Sequence, residues 1–376
     1  MNDYTLRLAP SPTSNEVIGI DINPRVTDLR WSTVTPGGFG QLDVGLAPDG
    51  GTPLVGGLQA PLDVDHFHHV ELWRGAALLF EGRIEDFVFN GVGVTGFSAR
   101  GYGLAALSDI TINPGGGAWL GSPFGDFIAI AVSTGSRLVS LDPWVVENVD
   151  NGVRYSSEDL YGLTVRQVLD MVSRQSVTGE LFDWWVYAGR VLTVLPRTVP
   201  PVPHYAVPFE DGLTTWRESS RNLWGGVKLF YTVDGVEQSI EATADGFYER
   251  YGIERSTPLR VDELTDEGAM AFARQWVTQA STPAVQAAVI RRDGRGVTTP
   301  SGAEVDADLV RAGSWWQVGG KPLQPCISST HNANTDEHRW ELNQPMHSVR
   351  NALAVIQQDR LAFRAGVNPV AGGRKR

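Results

Sequence analysis

The chain has 376 residues and a formal net charge of −12, with 43 Asp+Glu against 31 Lys+Arg. At 42% hydrophobic and 20% charged residues it reads as a folded chain long enough for two to three domains, neither disordered nor membrane-embedded. A single cysteine, Cys326, excludes a disulfide scaffold and a cysteine zinc site, and the acidic balance argues against a phosphate-binding surface.

No apolar run reaches the ~18 residues of a membrane-spanning helix. Met1-Asn2-Asp3-Tyr4 lacks the basic and apolar regions of a signal peptide. The 42 glycines and 22 prolines together fall short of low complexity, so the glycine excess points to turns between many short strands.

In chain order, strands are predicted at Thr27–Thr33 and Gln41–Leu46, either side of Pro36-Gly37-Gly38-Phe39-Gly40. Val70–Gly75 alternates into a glycine turn, and Ala76–Ile84 returns with Leu78, Phe80 and Ile84 on one face. The alternation shifts at Glu85-Asp86, as a β-bulge produces, and Phe87–Ala99 forms a second hairpin through Asn90-Gly91. This first β module spans 1–117.

A small α+β insert is expected over 118–197. There Thr164 caps a helix with Val165, Val168, Leu169 and Val172 on one face, and strands Asp183–Tyr187 and Arg190–Val194 follow. Five prolines between 196 and 208 predict a stiff linker, bounded at 198–208. A second β module follows over 209–345, with strands at Gly226–Thr232, Val236–Thr243, Ala284–Arg291, Ser314–Val318 and Arg339–Leu342. Its helix, 265–281, starts at Thr265 and is stopped by Pro283. Within 346–376, Ser348 caps an amphipathic C-terminal helix carrying Val349, Leu353, Ile356 and Phe363 on one stripe.

Candidate chemistry is sparse. Gly91–Gly96 matches G-x-G-x-x-G, but both flanks alternate as strands, and dinucleotide binding needs a helix N-terminus there. His66 and His68 would share one side of a strand, where Asp63 or Asp65 could complete a metal site; polar surface is the plainer reading. Asp183 before Trp184-Trp185 is the nearest approach to a glycosidase carboxylate, and strand capping explains it equally well. No nucleophile elbow, H-E-x-x-H or phosphate loop occurs, so neither catalytic residues nor a cofactor are expected. Trp184-Trp185 and Trp315-Trp316 place one ring on each face of a strand, suited to a core on one side and a neighbouring subunit on the other; exposed rings stacking on carbohydrate are the rival.

The order of elements resembles siphophage baseplate hub or tail-tip minor tail proteins, the Gp37-like group. The stretches that carry it are Leu29-Arg30-Trp31 through Leu46, the Val70–Ile84 hairpin with Gly101-Tyr102-Gly103-Leu104, the Leu163–Pro196 insert, and Asn222-Leu223-Trp224 through Pro283. The resemblance implies a mainly β fold of two barrel-like modules with the helix–hairpin insert and a C-terminal helix. It also implies a homotrimer forming a pseudo-sixfold ring that continues or closes the tail tube. Expected partners are the distal tail protein, the tape measure protein C-terminus and tail fibre or tip proteins, with DNA only in passage. The expected location is the distal end of the virion tail, after assembly in the host cytoplasm and without membrane insertion. Trp315, Trp316, Val349, Leu353, Ile356 and Phe363 are the expected subunit contacts. A carbohydrate-binding or depolymerising virion protein is the alternative.

Overall fold

The computed structural model describes residues 4–13, 18–21, 26–47, 54–55, 58–59, 65–90, 93–113, 122–152, 154–173, 182–196, 203–210, 212–221, 223–233, 235–261, 266–292 and 295–343. The chain is mainly β and opens with β1 (Tyr4–Ala9), β2 (Ile18–Asp21), β3 (Val26–Val34) and β4 (Gly37–Leu46). A two-residue pair, β5 (Leu54–Val55) and β6 (Leu58–Gln59), precedes β7 (His69–Arg74), β8 (Ala77–Asn90) and β9 (Gly93–Gly101). Alternation decides what these strands bury: on β3, Leu29, Trp31 and Thr33 point inward. Leu29 and Trp31 meet Leu6, Leu42, Val70, Leu72, Phe80 and Ile84 in one core. The predicted bulge is present as a register shift of β8 against β9 between Ile84 and Asp86.

The insert contains α1 (Phe124–Gly135), β10 (Ser140–Leu141), α2 (Pro143–Asn148), α3 (Ser157–Leu160) and α4 (Val165–Val172), then β11 (Phe182–Tyr187) and β12 (Val191–Pro196). Thr164 and Gln167 form a reciprocal capping box that starts α4, whose Val165, Val168, Leu169 and Val172 are buried against α1 and the hairpin. The insert is also stitched to the first module by backbone, because β11 pairs in parallel with β4 through Trp185–Gly37 and Val186–Gly38. That approach requires glycine. Gly38 has φ +99°, and a Cβ there would lie 2.1 Å from the Val186 carbonyl oxygen.

Inside the expected linker, β13 (Tyr205–Val207) is a strand that pairs in parallel with β19 (Trp315–Val318). The second β segment continues with β14 (Thr214–Ser219), β15 (Gly226–Val233), β16 (Val236–Thr243), α5 (Phe247–Tyr251), β17 (Ser256–Val261), α6 (Asp266–Ala280), β18 (Ala284–Arg292), β20 (Gln324–Asn332) and β21 (Glu337–Asn343). It holds two cores. β16-β15-β17 form a separate sheet covered by α6, whose Ala269, Ala273, Trp276, Val277 and Ala280 pack on Val227, Leu229 and Tyr231. The other core contains Val289, Val310, Trp316, Val318, Cys326, Trp340 and Leu342.

The first and last segments share one ladder, in the order β14-β18-β21-β20-β3-β4-β9-β8-β7-β1-β2. The joint is the antiparallel pair β20–β3, running from Ser328–Val34 to Asn332–Arg30. Thr33 Oγ1 and Ser329 Oγ, 2.6 Å apart, share a hydrogen bond beneath it, and the Ala312 N–H donates to Thr33 Oγ1 at 2.8 Å. Strands far apart in sequence thus form a continuous sheet, leaving polar side chains enclosed at its seams.

Candidate functional site at the module seams

A buried polar cluster joins β20 and β21, through Asp308, to Tyr4 of β1 and Arg74 of β7. His331 and His338 are direct partners in the β20–β21 ladder, and His331 is also opposite Trp31 on β3. Their Nδ1 atoms are 2.6 Å apart, and Asp308 Oδ1 lies 3.7 Å from His331 Nδ1 and 3.6 Å from His338 Nδ1. All three residues are buried. Trp31 stacks on His331 at an interplanar angle of 2° and Trp340 stacks on His338 at 11°, which fixes both imidazole planes. Burial and the neighbouring His331 push the His338 pKa down to about 4, so that imidazole is neutral near pH 7.

The second Asp308 oxygen faces the first module. Tyr4 donates its hydroxyl to Oδ2 at 3.1 Å, and Arg74 bridges Asp308 Oδ2 and Asp306 Oδ2 with its two terminal nitrogens. Burial acts to raise the Asp308 pKa, but the hydrogen bond with His331 and the positive charge of Arg74 outweigh it and hold the carboxyl ionised.

A second cluster joins the first module to the insert. His69 shares hydrogen bonds with Tyr102 Oη at 2.9 Å and Glu71 Oε1 at 3.1 Å, while Trp73 Nε1 donates to Glu71 Oε2 at 2.7 Å. The His69 hydrogen bond lowers the Glu71 pKa against the effect of burial. Glu81, behind them, accepts the Gly189 N–H at 2.7 Å. A third contact closes all three parts: Arg311 stacks 4.7 Å from the Tyr187 ring centre and 5.0 Å from that of Phe39, and donates to the Leu78 carbonyl at 2.9 Å.

The weak candidate pair His66 and His68 is not brought together. His66 and His68 occupy a turn, with Phe67 at φ +68°, and the strand begins only at His69. They therefore do not share a strand face. His66 Nδ1 contacts the Glu85 carbonyl at 3.0 Å, and His68 Nδ1 accepts the Asp65 N–H at 3.1 Å. Two other groups do bring three potential ligand atoms within 4.8 Å of one another among the described residues: Asp308–His331–His338 and His69–Glu71–Glu81. The former carried a readable signal, since His331-Asn332-Ala333-Asn334-Thr335-Asp336-Glu337-His338 is a polar turn flanked by two histidines.

Trp316 is also corrected as a subunit contact. Its ring is fully buried between Tyr205 and Trp340, so it packs the core, whereas Trp315 on the opposite face is half-buried. Val349, Leu353, Ile356 and Phe363 lie outside the described residues. The glycine motif at 91–96 adjoins β8 and β9, so strands flank it on both sides. Among the described residues, no helix is long and apolar enough to cross a membrane.

This mainly β fold is similar to that of prophage tail proteins. It matches the 43 kDa tail protein of prophage MuSo2 from Shewanella oneidensis with a TM-score of 0.61 at 14% identity, over 91% of this chain and 97% of that one. Prophage tail protein gp18 from Listeria monocytogenes gives 0.60 at 12% identity, over 96% and 99% of the respective chains. A tail protein from Neisseria meningitidis gives 0.60 at 12% identity, over 91% and 97%. No protein-family model matches the sequence, and no curated protein does.

Proposed function

We propose that the chain is a structural component of a phage tail tip, a homotrimeric baseplate hub that continues or closes the tail tube and anchors tip or fibre proteins. The observation that carries this reading is the end-to-end likeness of fold, which takes in 97–99% of three tail proteins rather than one shared domain. The partners are the distal tail protein on one side and fibre or tip proteins on the other, with the tape measure protein's C-terminus received inside the ring. The role is one of geometry, without catalysis: the polar residues at the seams are consumed in holding modules together. A net charge of −12 suits a channel wall past which DNA slides without adhering.

The tryptophans weigh against the carbohydrate alternative. Among the described residues, Trp144 is the exposed one, while Trp31, Trp184, Trp276, Trp316 and Trp340 are buried. A stacking platform needs several exposed rings together.

Native mass spectrometry of the purified protein, combined with electron microscopy of virions, tests the proposal. A trimer located at the distal tail end is the expected result. A strictly monomeric protein absent from particles overturns it.

A further inference from the structure

We propose that Asp308, His331 and His338 form a structural binding site for a divalent transition-metal ion of the zinc, cobalt or nickel type. The three facing atoms define a triangle with sides of 2.6, 3.7 and 3.6 Å. The point equidistant from them lies ~2.0 Å from each, the circumradius of that triangle, and Zn–N and Zn–O bonds are about 2.0–2.2 Å long. An ion there replaces the hydrogen bond between the two Nδ1 atoms, and the imidazoles part slightly to take it, since two nitrogens held tetrahedrally at ~2.0 Å lie ~3.3 Å apart. The donor set, two imidazoles and one carboxylate, suits these metals better than Mg²⁺ or Ca²⁺, which favour all-oxygen sites.

The surroundings support this assignment. The two Trp stacks hold the imidazole planes, so convergence does not depend on free rotation. Tyr4 and Arg74 occupy Asp308 Oδ2 and leave Oδ1 turned toward the histidines. With metal bound through both Nδ1 atoms, each ring carries its proton on Nε2. His338 Nε2 lies 3.7 Å from Asp336 Oδ1, the type of outer carboxylate that orients a metal-binding imidazole. In the His69 cluster, His69 Nδ1 and Glu81 Oε2 are engaged by groups outside the would-be ligand set, Tyr102 Oη and the Gly189 N–H, whereas the Nδ1 atoms of His331 and His338 face each other and Asp308 Oδ1. The ion would pin β20 and β21 to the Asp308 turn, which Tyr4 of β1 and Arg74 of β7 already hold.

Because the ligands are buried, the ion enters as the chain folds, and loading belongs in the refolding step. The full-length chain is refolded with Co²⁺ or with EDTA, desalted, and examined by elemental analysis, visible absorption and thermal unfolding. The expected result is about one Co²⁺ per chain with d–d absorption bands, and a higher unfolding temperature than in the EDTA arm. His338→Gln loses the bands and the metal, while the His66→Gln/His68→Gln double variant keeps both. Should His338→Gln fail to fold, the wild-type arms decide alone. Folded wild-type protein that retains no stoichiometric metal, or loss of metal from the His66/His68 variant, overturns the site.

Discussion

Arg74 and Asp308, separated by 234 positions in the chain, meet in an ion pair whose carboxylate side chain is only 2% exposed. The pair ties β7 of the first module to the turn ahead of β19, beside the end of the β20–β3 ladder where His331 faces Asp308. Removing one member of such a pair leaves the other buried and uncompensated. Arg74→Met should therefore destabilise the protein by ~3 kcal/mol, measured by urea denaturation. The double variant Arg74→Met/Asp308→Asn should recover much of that loss, since neither charge remains. A double variant as unstable as the summed single changes would show that the two residues act independently.

Glu81 supplies the pH-dependent case. It is buried, and burial raises its pKa by more than the Gly189 hydrogen bond, His69 and Arg190 lower it. Its folded-state value thus lies above the ordinary 4.5, and the unfolded chain ionises first as pH rises. Stability from this residue is greatest below pH 4.5 and declines as pH rises through the folded value. Glu81→Gln retains an oxygen for the Gly189 N–H and removes the titration. At pH 7 it should stabilise the protein, an advantage that shrinks on acidification. Denaturation midpoints of both proteins between pH 4 and 7 check this, and a variant less stable at pH 7 contradicts it.

Gly38 is one of the positions where the first module and the insert touch by backbone. A methyl group there meets the Val186 carbonyl oxygen at 2.1 Å, with φ at +99° besides. Gly38→Ala should cost ~3 kcal/mol or more through strain and loss of the β4–β11 pairing. Gly235→Ala also places a side chain at positive φ, +79°, but meets nothing within 4 Å. It should cost ~1 kcal/mol, from backbone strain alone. Comparing the two melting temperatures separates the clash from the conformational cost; equal losses would show that the β4–β11 approach is not tight.

These residues also mark how far the sequence could be read. The Val70–Ile84 hairpin, the bulge at Glu85-Asp86 and the capped helix from Val165 were legible because their patterns are local and carry their own punctuation. Helix α1 carries Phe124, Phe127, Ile128, Ala131 and Val132 at helical spacing, but Pro123 gives it no side-chain cap to announce it. The β20–β3 joint had no local sign, since pairing between strands nearly 300 positions apart depends on the assembled sheet. For the same reason Arg74, Asp308 and Tyr4 carry no local signal, each being an ordinary polar residue until the chain folds. His66 and His68 drew attention by proximity in sequence, yet a single left-handed residue, Phe67, was enough to take them off a common strand face.

Trp315 and Trp316 separate stability from assembly. Trp316 is fully buried against Tyr205 and Trp340, with Nε1 donating to Ser314 Oγ at 3.0 Å. Truncating it opens a cavity that the neighbouring strands cannot fill, so Trp316→Ala should cost ~3–5 kcal/mol. Trp315 is tied to the structure by backbone, donating its N–H to His204 Nδ1 at 3.0 Å and accepting the His204 N–H at 2.8 Å. Its half-buried ring is therefore dispensable to the local ladder. Trp315→Ala should cost ~1 kcal/mol or less and keep the wild-type fold by circular dichroism. On the proposed trimeric reading, its ring lies in a subunit contact, where a few aromatic side chains carry much of the binding energy. Native mass spectrometry should then show Trp315→Ala shifted from trimer toward monomer at a concentration where the parent stays assembled. A variant that remains fully trimeric removes Trp315 from the interface, and one that unfolds places its ring in the core beside that of Trp316.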